Sequence, residues 1–239
     1  MICAAVLAAG LGVRMHRRDL PKQFLPLGGK PIIIHTLEQF YAHPRVGRVL
    51  VVAPETWKPY TEDLLAGYDS MGKEILVISG GSNKSESIGV AVECIEARWG
   101  IGERDILIAH DAIRPFVTRR IIDDNIDAAE AHGAANTAMR TNDAILVSED
   151  GLRLSDVPDH SRMHAEQTPQ TYNLRALKEA LSWAAENGRA LRGESELPRL
   201  FVQSGHEMRL VRGEHFNMKI INPYDLEVAN ALLRERGGT

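Results

Sequence analysis

Apolar runs of strand length alternate with helical patterns through the first half of the chain. Ile2 to Leu7, Val49 to Ala53, Ile75 to Ser79 and Asp105 to Ala109 are short and nearly continuous in apolar residues, as expected of strands buried on both faces of a parallel sheet. Between them the apolar positions recur at helical spacing. Ile33, Ile34, Leu37 and Phe40 make one face of a helix ending near His43-Pro44, with Pro31 in the first turn, where its missing amide is tolerated. Trp57 to Tyr68 reads as a second helix, Ile88, Ala91, Val92 and Ile95 as the stripe of a third, and Ile121 to Ala131 as a fourth. The alternation predicts an α/β fold with a mostly parallel twisted sheet and helices on both faces.

Beyond residue 131 the alternation loosens. Ala134 to Ile145 is strand-like, Ser148-Glu149-Asp150-Gly151 is turn-rich, and Arg153 to Val157 can return antiparallel, which predicts a protruding β-hairpin arm over about residues 140–157. Such an arm is either a surface excursion or a contact with a second subunit. The polar stretch Gln167 to Tyr172 comes next, then a helix from Asn173 to Glu186 and an acidic helix from about Gly193. Met208 to Val211 and Asn217 to Ile221 read as short strands, and Tyr224 to Arg234 as a closing amphipathic helix. No repeat, low-complexity tract or linker divides the chain, so residues 1–239 are read as one domain.

Composition narrows the classes. With 44% hydrophobic residues there is enough apolar material for a real core, and a net charge of −4 with scattered cations argues against a nucleic-acid binder relying on bulk electrostatics. The two cysteines, Cys3 and Cys94, lie far apart in apolar surroundings and read as buried free thiols. No charged-then-apolar leader and no run of membrane-spanning length occurs, so a soluble, cytoplasmic protein is expected.

Candidate chemistry gathers at strand ends. After the first strand comes Leu7-Ala8-Ala9-Gly10-Leu11-Gly12-Val13-Arg14-Met15, then Pro21-Lys22-Gln23. Small residues there let backbone amides approach an anion, and Gly10 and Gly12 can take the backbone angles that such a cradle needs. Arg14 can grip phosphate oxygens as a fork and Lys22 can act as a point charge, a pair suited to stabilising charge that moves in phosphoryl or nucleotidyl transfer. The alternative is a glycine-rich surface turn beside two solvated cations. A dinucleotide fingerprint would need glycine at Met15, and a P-loop would need glycine at Phe24 and Ser or Thr at Pro31.

The third strand opens into Gly80 to Ser87, a helix start with Ser82 as its cap or a further phosphate contact, and the fourth into His110-Asp111-Ala112-Ile113-Arg114-Pro115. In open parallel sheets ligands bind at the carboxyl ends of strands, so these loops are expected to face one crevice. Lys219 alternates with Met218 and Ile220, which alone suggests the wet side of an edge strand. His160 and His164 are four apart but lack a third ligand, and no nucleophile elbow accompanies any Ser-His-Asp set.

Taken together, these stretches, with Gln167-Thr168-Pro169-Gln170 and Asn217-Met218-Lys219, resemble the cytidylyltransferases that activate polyol phosphates with CTP, over essentially the whole chain. That family has a 2-C-methyl-D-erythritol 4-phosphate branch and a ribitol-5-phosphate branch. Arg114 to Ile122, Val211 to Glu214 and Asn222 to Leu226 look closer to the latter. The resemblance implies a Rossmann-like fold, a homodimer joined through the arm and Mg2+-dependent transfer of CMP from CTP to a polyol phosphate, without a covalent intermediate. It implies Arg14, Lys22 and Lys219 as catalytic residues. Ala8, Ala9, Gly10, Gly12, Gly81, Ser87 and Asp111 would bind nucleotide, with Asp111 also positioning the metal, and Asp143 and His160 would bind the acceptor. The sequence departs from the family pattern at Lys84, where arginine is usual, at Ser82 and Asn83, at Ala144, at His160, where arginine commonly grips the acceptor phosphate, and at Ser195-Glu196. Two of these departures, Ala144 and His160, fall on the acceptor side. A nucleotide-binding module without turnover is the reading from another class, and a nicotinamide oxidoreductase is disfavoured at Met15.

Overall fold

The computed structural model describes residues 1–10, 20–68, 73–191 and 196–237. Its strands are β1 (Ile2–Leu7), β2 (Pro26–Leu27), β3 (Lys30–Pro31), β4 (Arg48–Ala53), β5 (Ile75–Ser79), β6 (Ile106–Asp111), β7 (Ala134–Arg140), β8 (His164–Asn173) and β9 (Arg209–Arg212). Its helices are α1 (Ile32–Tyr41), α2 (Lys58–Ala66), α3 (Lys84–Trp99), α4 (Arg119–His132), α5 (Leu174–Glu186), α6 (Glu196–Gln203) and α7 (Pro223–Gly237). Seven strands form one sheet in the order β5-β4-β1-β6-β8-β7-β9, and β2 and β3 form a separate small hairpin. Within the large sheet β8 runs against its neighbours, pairing antiparallel with both β6 and β7. The carboxyl ends of β1, β4, β5, β6, β7 and β9 therefore share one edge with the start of β8.

The apolar runs are continuous because both sheet faces are covered. Ala4 and Val6 face α1 and α4, where Leu37, Phe40, Ile121 and Ile126 close one core. Cys3 and Ala5 face α3, α5 and α6, where Ile88, Ile95, Leu177 and Phe201 close the other. Small side chains in β1 let helices sit close on each side. A third cluster joins Leu27 of β2 to Ile220 and to Ala229 of α7. Helix starts are fixed by side chains, with Asn83, Thr118 and Asn173 accepting from the amides of Glu86, Ile121 and Ala176.

Three expectations need correction, and the polar stretch before α5 proves to be a strand. Asn83, not Ser82, caps α3; the Ser82 amide instead donates to Glu86 Oε2 at 2.9 Å. Gln167 to Tyr172 is the buried heart of β8. The strand expected over Ala134 to Ile145 stops at Arg140, and within the arm the ladder is a single antiparallel bridge, Val147 to Asp156. Asn217 to Ile221 is irregular, strapped to the β6 loop by the Ile220 amide donating to the Ile113 carbonyl at 3.0 Å. Of the two thiols, Cys3 is buried and Cys94 half-buried, and both are free.

Phe201 is fully buried against Tyr172 at 5.3 Å and stacks on His206 at 4.9 Å. Phe201→Ala is expected to cost about 3–5 kcal/mol in urea unfolding, because the layer between α6 and the sheet cannot collapse onto the void. A loss below about 1 kcal/mol would mean that α6 is not part of that core.

Candidate functional site

Three loops at the carboxyl edge are tied to neighbouring strands, so their spacing is set by the sheet. Past β1, the Ala8 amide donates to Val52 of β4 at 2.8 Å; past β5, the Gly80 amide donates to Ala53 at 2.9 Å; past β6, the Ala112 amide donates to Leu7 at 3.0 Å. Gln23, buried in a short 3-10 turn, donates through Nε2 to the Ala8 carbonyl at 2.6 Å and holds the first loop from below. Glycine at position 80 permits the close approach. A Cβ there would lie 2.9 Å from both Ala9 Cβ and Ser87 Oγ. Ser87 Oγ in turn accepts from the Gly81 amide at 3.2 Å.

The result is a cavity of about 300 Å³ that brings together Ala8, Ala9, Gly10, Lys22, Gly81, Ser87, Asp111 and Lys219. Gln23 and Lys84 also line it. Behind Asp111 a smaller cavity of about 150 Å³ continues, sharing Lys84, Asp111 and Lys219 and walled by Arg114, Glu166, Gln167, Thr168 and Ile221. Arg14 and Gly12 lie outside the described residues. Asp143, on the arm, and His160, in a short 3-10 turn just after it, are exposed and line neither cavity of this chain.

Asp111 is the electrostatic centre. Burial alone would raise its pKa, but Lys84, Lys219 and Arg114 outweigh it and hold the carboxyl well below the usual carboxylate range. Arg114 Nε donates to Asp111 Oδ2 at 3.0 Å and Lys219 Nζ lies 3.5 Å from the same oxygen. Arg114 is itself buried, with Nη1 donating to the Asn217 carbonyl at 2.8 Å. Asn217 Nδ2 donates to the Thr168 carbonyl at 2.9 Å and to Gln167 Oε1 at 3.1 Å. Lys219 thus owes its place to a strap over β8, not to strand alternation. The Asp111 carboxylate therefore stays ionised at any physiological pH, and its stabilising contribution is lost only as pH falls below the ordinary carboxylate range.

His110 is fully buried beside it. Its Nε2 faces the Arg114 carbonyl at 3.1 Å and its Nδ1 faces Thr168 Oγ1 at 3.1 Å, while that hydroxyl accepts from the Asp111 amide at 3.1 Å. A carbonyl can only accept, so Nε2 carries the proton and neutral Nδ1 accepts from Thr168. Burial pushes the His110 pKa down to about 4. Between the ordinary histidine value near 6.5 and that depressed value the unfolded chain binds a proton that the folded chain does not. Stability should therefore fall on acidification through this window, with His110 adding up to one proton to the slope. Burial also lowers the pKa of His43, which adds to the same trend. The difference between wild type and His110→Gln, followed by unfolding at several pH values, isolates the His110 share; identical slopes would contradict it.

The donor set can be judged for a divalent cation. Among the described residues no group of three or more His, Cys, Asp or Glu could hold a metal ion. One buried, permanently ionised carboxylate opening on a phosphate-type loop instead suits Mg2+, which is held by one or two carboxylates together with substrate phosphates.

The family model for IspD, 2-C-methyl-D-erythritol 4-phosphate cytidylyltransferase, matches residues 2–235. Among solved structures, the 2-C-methyl-D-erythritol 4-phosphate cytidylyltransferase from Thermus thermophilus is 27% identical, with a TM-score of 0.74 over 98% of this chain and 100% of that one. The 4-diphosphocytidyl-2C-methyl-D-erythritol synthase from Anaerococcus prevotii shares the fold at 22% identity, with a TM-score of 0.78 over 98% and 96% of the two chains. The Francisella tularensis enzyme of the same family does so at 24% identity and a TM-score of 0.77, over 96% and 98%.

Proposed function

The chain is a nucleotidyltransferase belonging to the IspD family of cytidylyltransferases, and from that premise we propose that it transfers CMP from CTP to 2-C-methyl-D-erythritol 4-phosphate, releasing pyrophosphate. The family model and the Thermus relative both carry the methylerythritol phosphate name, which favours that acceptor over ribitol 5-phosphate, the acceptor suggested by local stretches of the sequence. The match over residues 2–235 also supports reading the chain as a single nucleotidyltransferase domain.

The observation that carries the reading is the convergence of Ala8 to Gly10, Gly81, Lys22, Asp111 and Lys219 on one cavity. In an in-line displacement an acceptor phosphate oxygen attacks the α-phosphorus and the bond to the leaving pyrophosphate breaks, so the protein mainly positions charged groups and stabilises the charge that moves. Backbone amides of the first loop and of Gly81, with Ser87 behind them, cradle the nucleotide. Lys22 stabilises the transition state and the departing pyrophosphate, assisted by Arg14. Lys219 holds the α-phosphate from the other side. Asp111 is kept ionised by its cations and would hold Mg2+, which supplies charge neutralisation on the phosphates when bound. Asp143 and His160 are assigned to binding the acceptor, in the site of a neighbouring subunit. Support for a homodimer comes from exposed apolar side chains concentrated on the arm, including Leu146, Leu152, Leu154 and Val157. No described helix is long and apolar enough to cross a membrane; a cytoplasmic location fits soluble phosphorylated substrates.

The test is pyrophosphate release from CTP and Mg2+, with and without 2-C-methyl-D-erythritol 4-phosphate. Acceptor-dependent release is expected. CTP binding with no release in the presence of any polyol phosphate would leave a nucleotide-binding module instead.

A further inference from the structure

The smaller cavity contains a carboxylate that none of the assigned roles uses. Glu166 lies on its wall, beyond the Lys84, Asp111 and Lys219 that it shares with the larger cavity. Glu166 Oε1 accepts from Asn136 Nδ2 at 2.9 Å and from Gln170 Nε2 at 2.5 Å. Both amides come from sheet residues that are themselves buried, so the carboxylate is braced against β7 and β8. Bracing of this kind lowers the ordering cost of binding a group that meets the carboxylate.

We propose that Glu166 is a specificity-determining residue that accepts hydrogen bonds from hydroxyl groups of the acceptor and so selects a hydroxyl-bearing phosphate ester. This rests on the cytidylyltransfer reading and extends it to the tail of the acceptor. The chemistry of the two cavities sets the orientation. Lys84 and Lys219 line both cavities, with Arg114 beside them in the smaller one, and favour the acceptor phosphate at that shared wall, within reach of the nucleotide. An ionised carboxylate offers acceptors only and repels a phosphate, so Glu166 turns the phosphate toward the shared wall. What it can receive is a donor: the carbon chain's hydroxyls. Hydrogen bonds to charged groups are among the stronger ones, and a site with a fixed acceptor penalises a ligand that lacks the matching donor. The amino group of the cytosine base is the rival donor, and the kinetics separate the two.

The experiment uses the full-length enzyme and compares wild type with Glu166→Ala and Glu166→Gln. Steady-state rates are measured with 2-C-methyl-D-erythritol 4-phosphate and with analogues in which one hydroxyl is replaced by hydrogen. Circular dichroism and thermal midpoints report folding. In Glu166→Ala the acceptor KM is expected to rise about tenfold while the KM for CTP stays within about twofold. The penalty that wild type shows for one deoxy analogue is expected to vanish in the variant, an effect that loss of a merely structural brace would not produce. Glu166→Gln, which keeps the shape and removes the charge, is expected to fall between the two, and it carries the test if the alanine variant does not fold. A KM for CTP that rises with that of the acceptor, or an unchanged deoxy penalty, overturns the proposal while leaving cytidylyl transfer standing. Absence of turnover by wild type with every polyol phosphate overturns the underlying reading and this inference together.

Discussion

Lys22→Ala is expected to lower kcat for acceptor-dependent pyrophosphate release by at least about tenfold, and up to about a thousandfold if Lys22 meets the leaving group alone. The fold should be spared. Lys22 shares its turn with Gln23 and Phe24, and those two carry the anchoring: Gln23 holds the Ala8 carbonyl, and Phe24 packs on Trp57 at 5.6 Å and Tyr60 at 4.9 Å. Truncating the lysine removes charge from the cavity without disturbing either anchor. Lys22→Arg should recover only part of the rate, because a planar fork cannot occupy the position of a compact ammonium without moving its partners. Unchanged turnover in Lys22→Ala, with thermal stability intact, would remove Lys22 from the reaction.

Asp111→Asn is expected to lower turnover about a hundredfold or more, and unlike Lys22→Ala it should also lower stability, by about 3 kcal/mol. The two effects have one origin. Arg114 and Lys219 are largely buried, with side chains 11% and 19% exposed, and both are directed at Asp111 Oδ2. Asparagine keeps the shape but deprives these cations of that countercharge, and it removes the ionised oxygen that reaches both cavities from the end of β6. Raising Mg2+ should rescue wild type from chelator but not the variant. A variant that turns over normally at standard Mg2+ would show that Asp111 is only a structural ion-pair partner.

The parallel half of the sheet is legible in the sequence because its strands are buried on both faces, so Ala4 to Leu7 and Val49 to Ala53 stand out as apolar runs. The loops after β1, β5 and β6 are legible because parallel topology sends carboxyl ends to one edge. β8 is hidden by its polarity. Its Gln167, Thr168, Gln170 and Thr171 are buried, yet Gln167 Nε2 donates to the Glu214 carbonyl at 2.9 Å and Thr137 donates to the Pro169 carbonyl at 2.7 Å. Polar side chains with partners fixed in the fold carry no periodic apolar signal. The strand expected at Asn217 to Ile221 fails for the converse reason: its alternation comes from strapping, with Ile220 in the third core cluster and Lys219 at Asp111.

Arg114 and Lys84 matter more than the sequence suggests. In the sequence Arg114 is one member of a motif, although its spacing of three from Asp111 is the signal for the pair that the structure reveals. Lys84 stands out there as a departure from the family pattern, yet it lines both cavities and leads the cations that depress the Asp111 pKa. Its role cannot be read from spacing, because it stands at the start of α3 and acts on a carboxylate at the end of β6, far away in sequence. The acceptor side escapes single-chain reasoning for a topological reason. Asp143 sits on the arm and His160 just after it, and the arm's exposed apolar residues point to a partner, so their proposed roles depend on a second subunit.

Acceptor choice is read directly in a competition in which the enzyme meets CTP, Mg2+ and equal concentrations of 2-C-methyl-D-erythritol 4-phosphate and ribitol 5-phosphate, with products resolved by mass. The cytidine diphosphate ester of methylerythritol is expected to dominate, with ribitol product at most a minor species. Predominant formation of the ribitol ester would contradict the methylerythritol assignment.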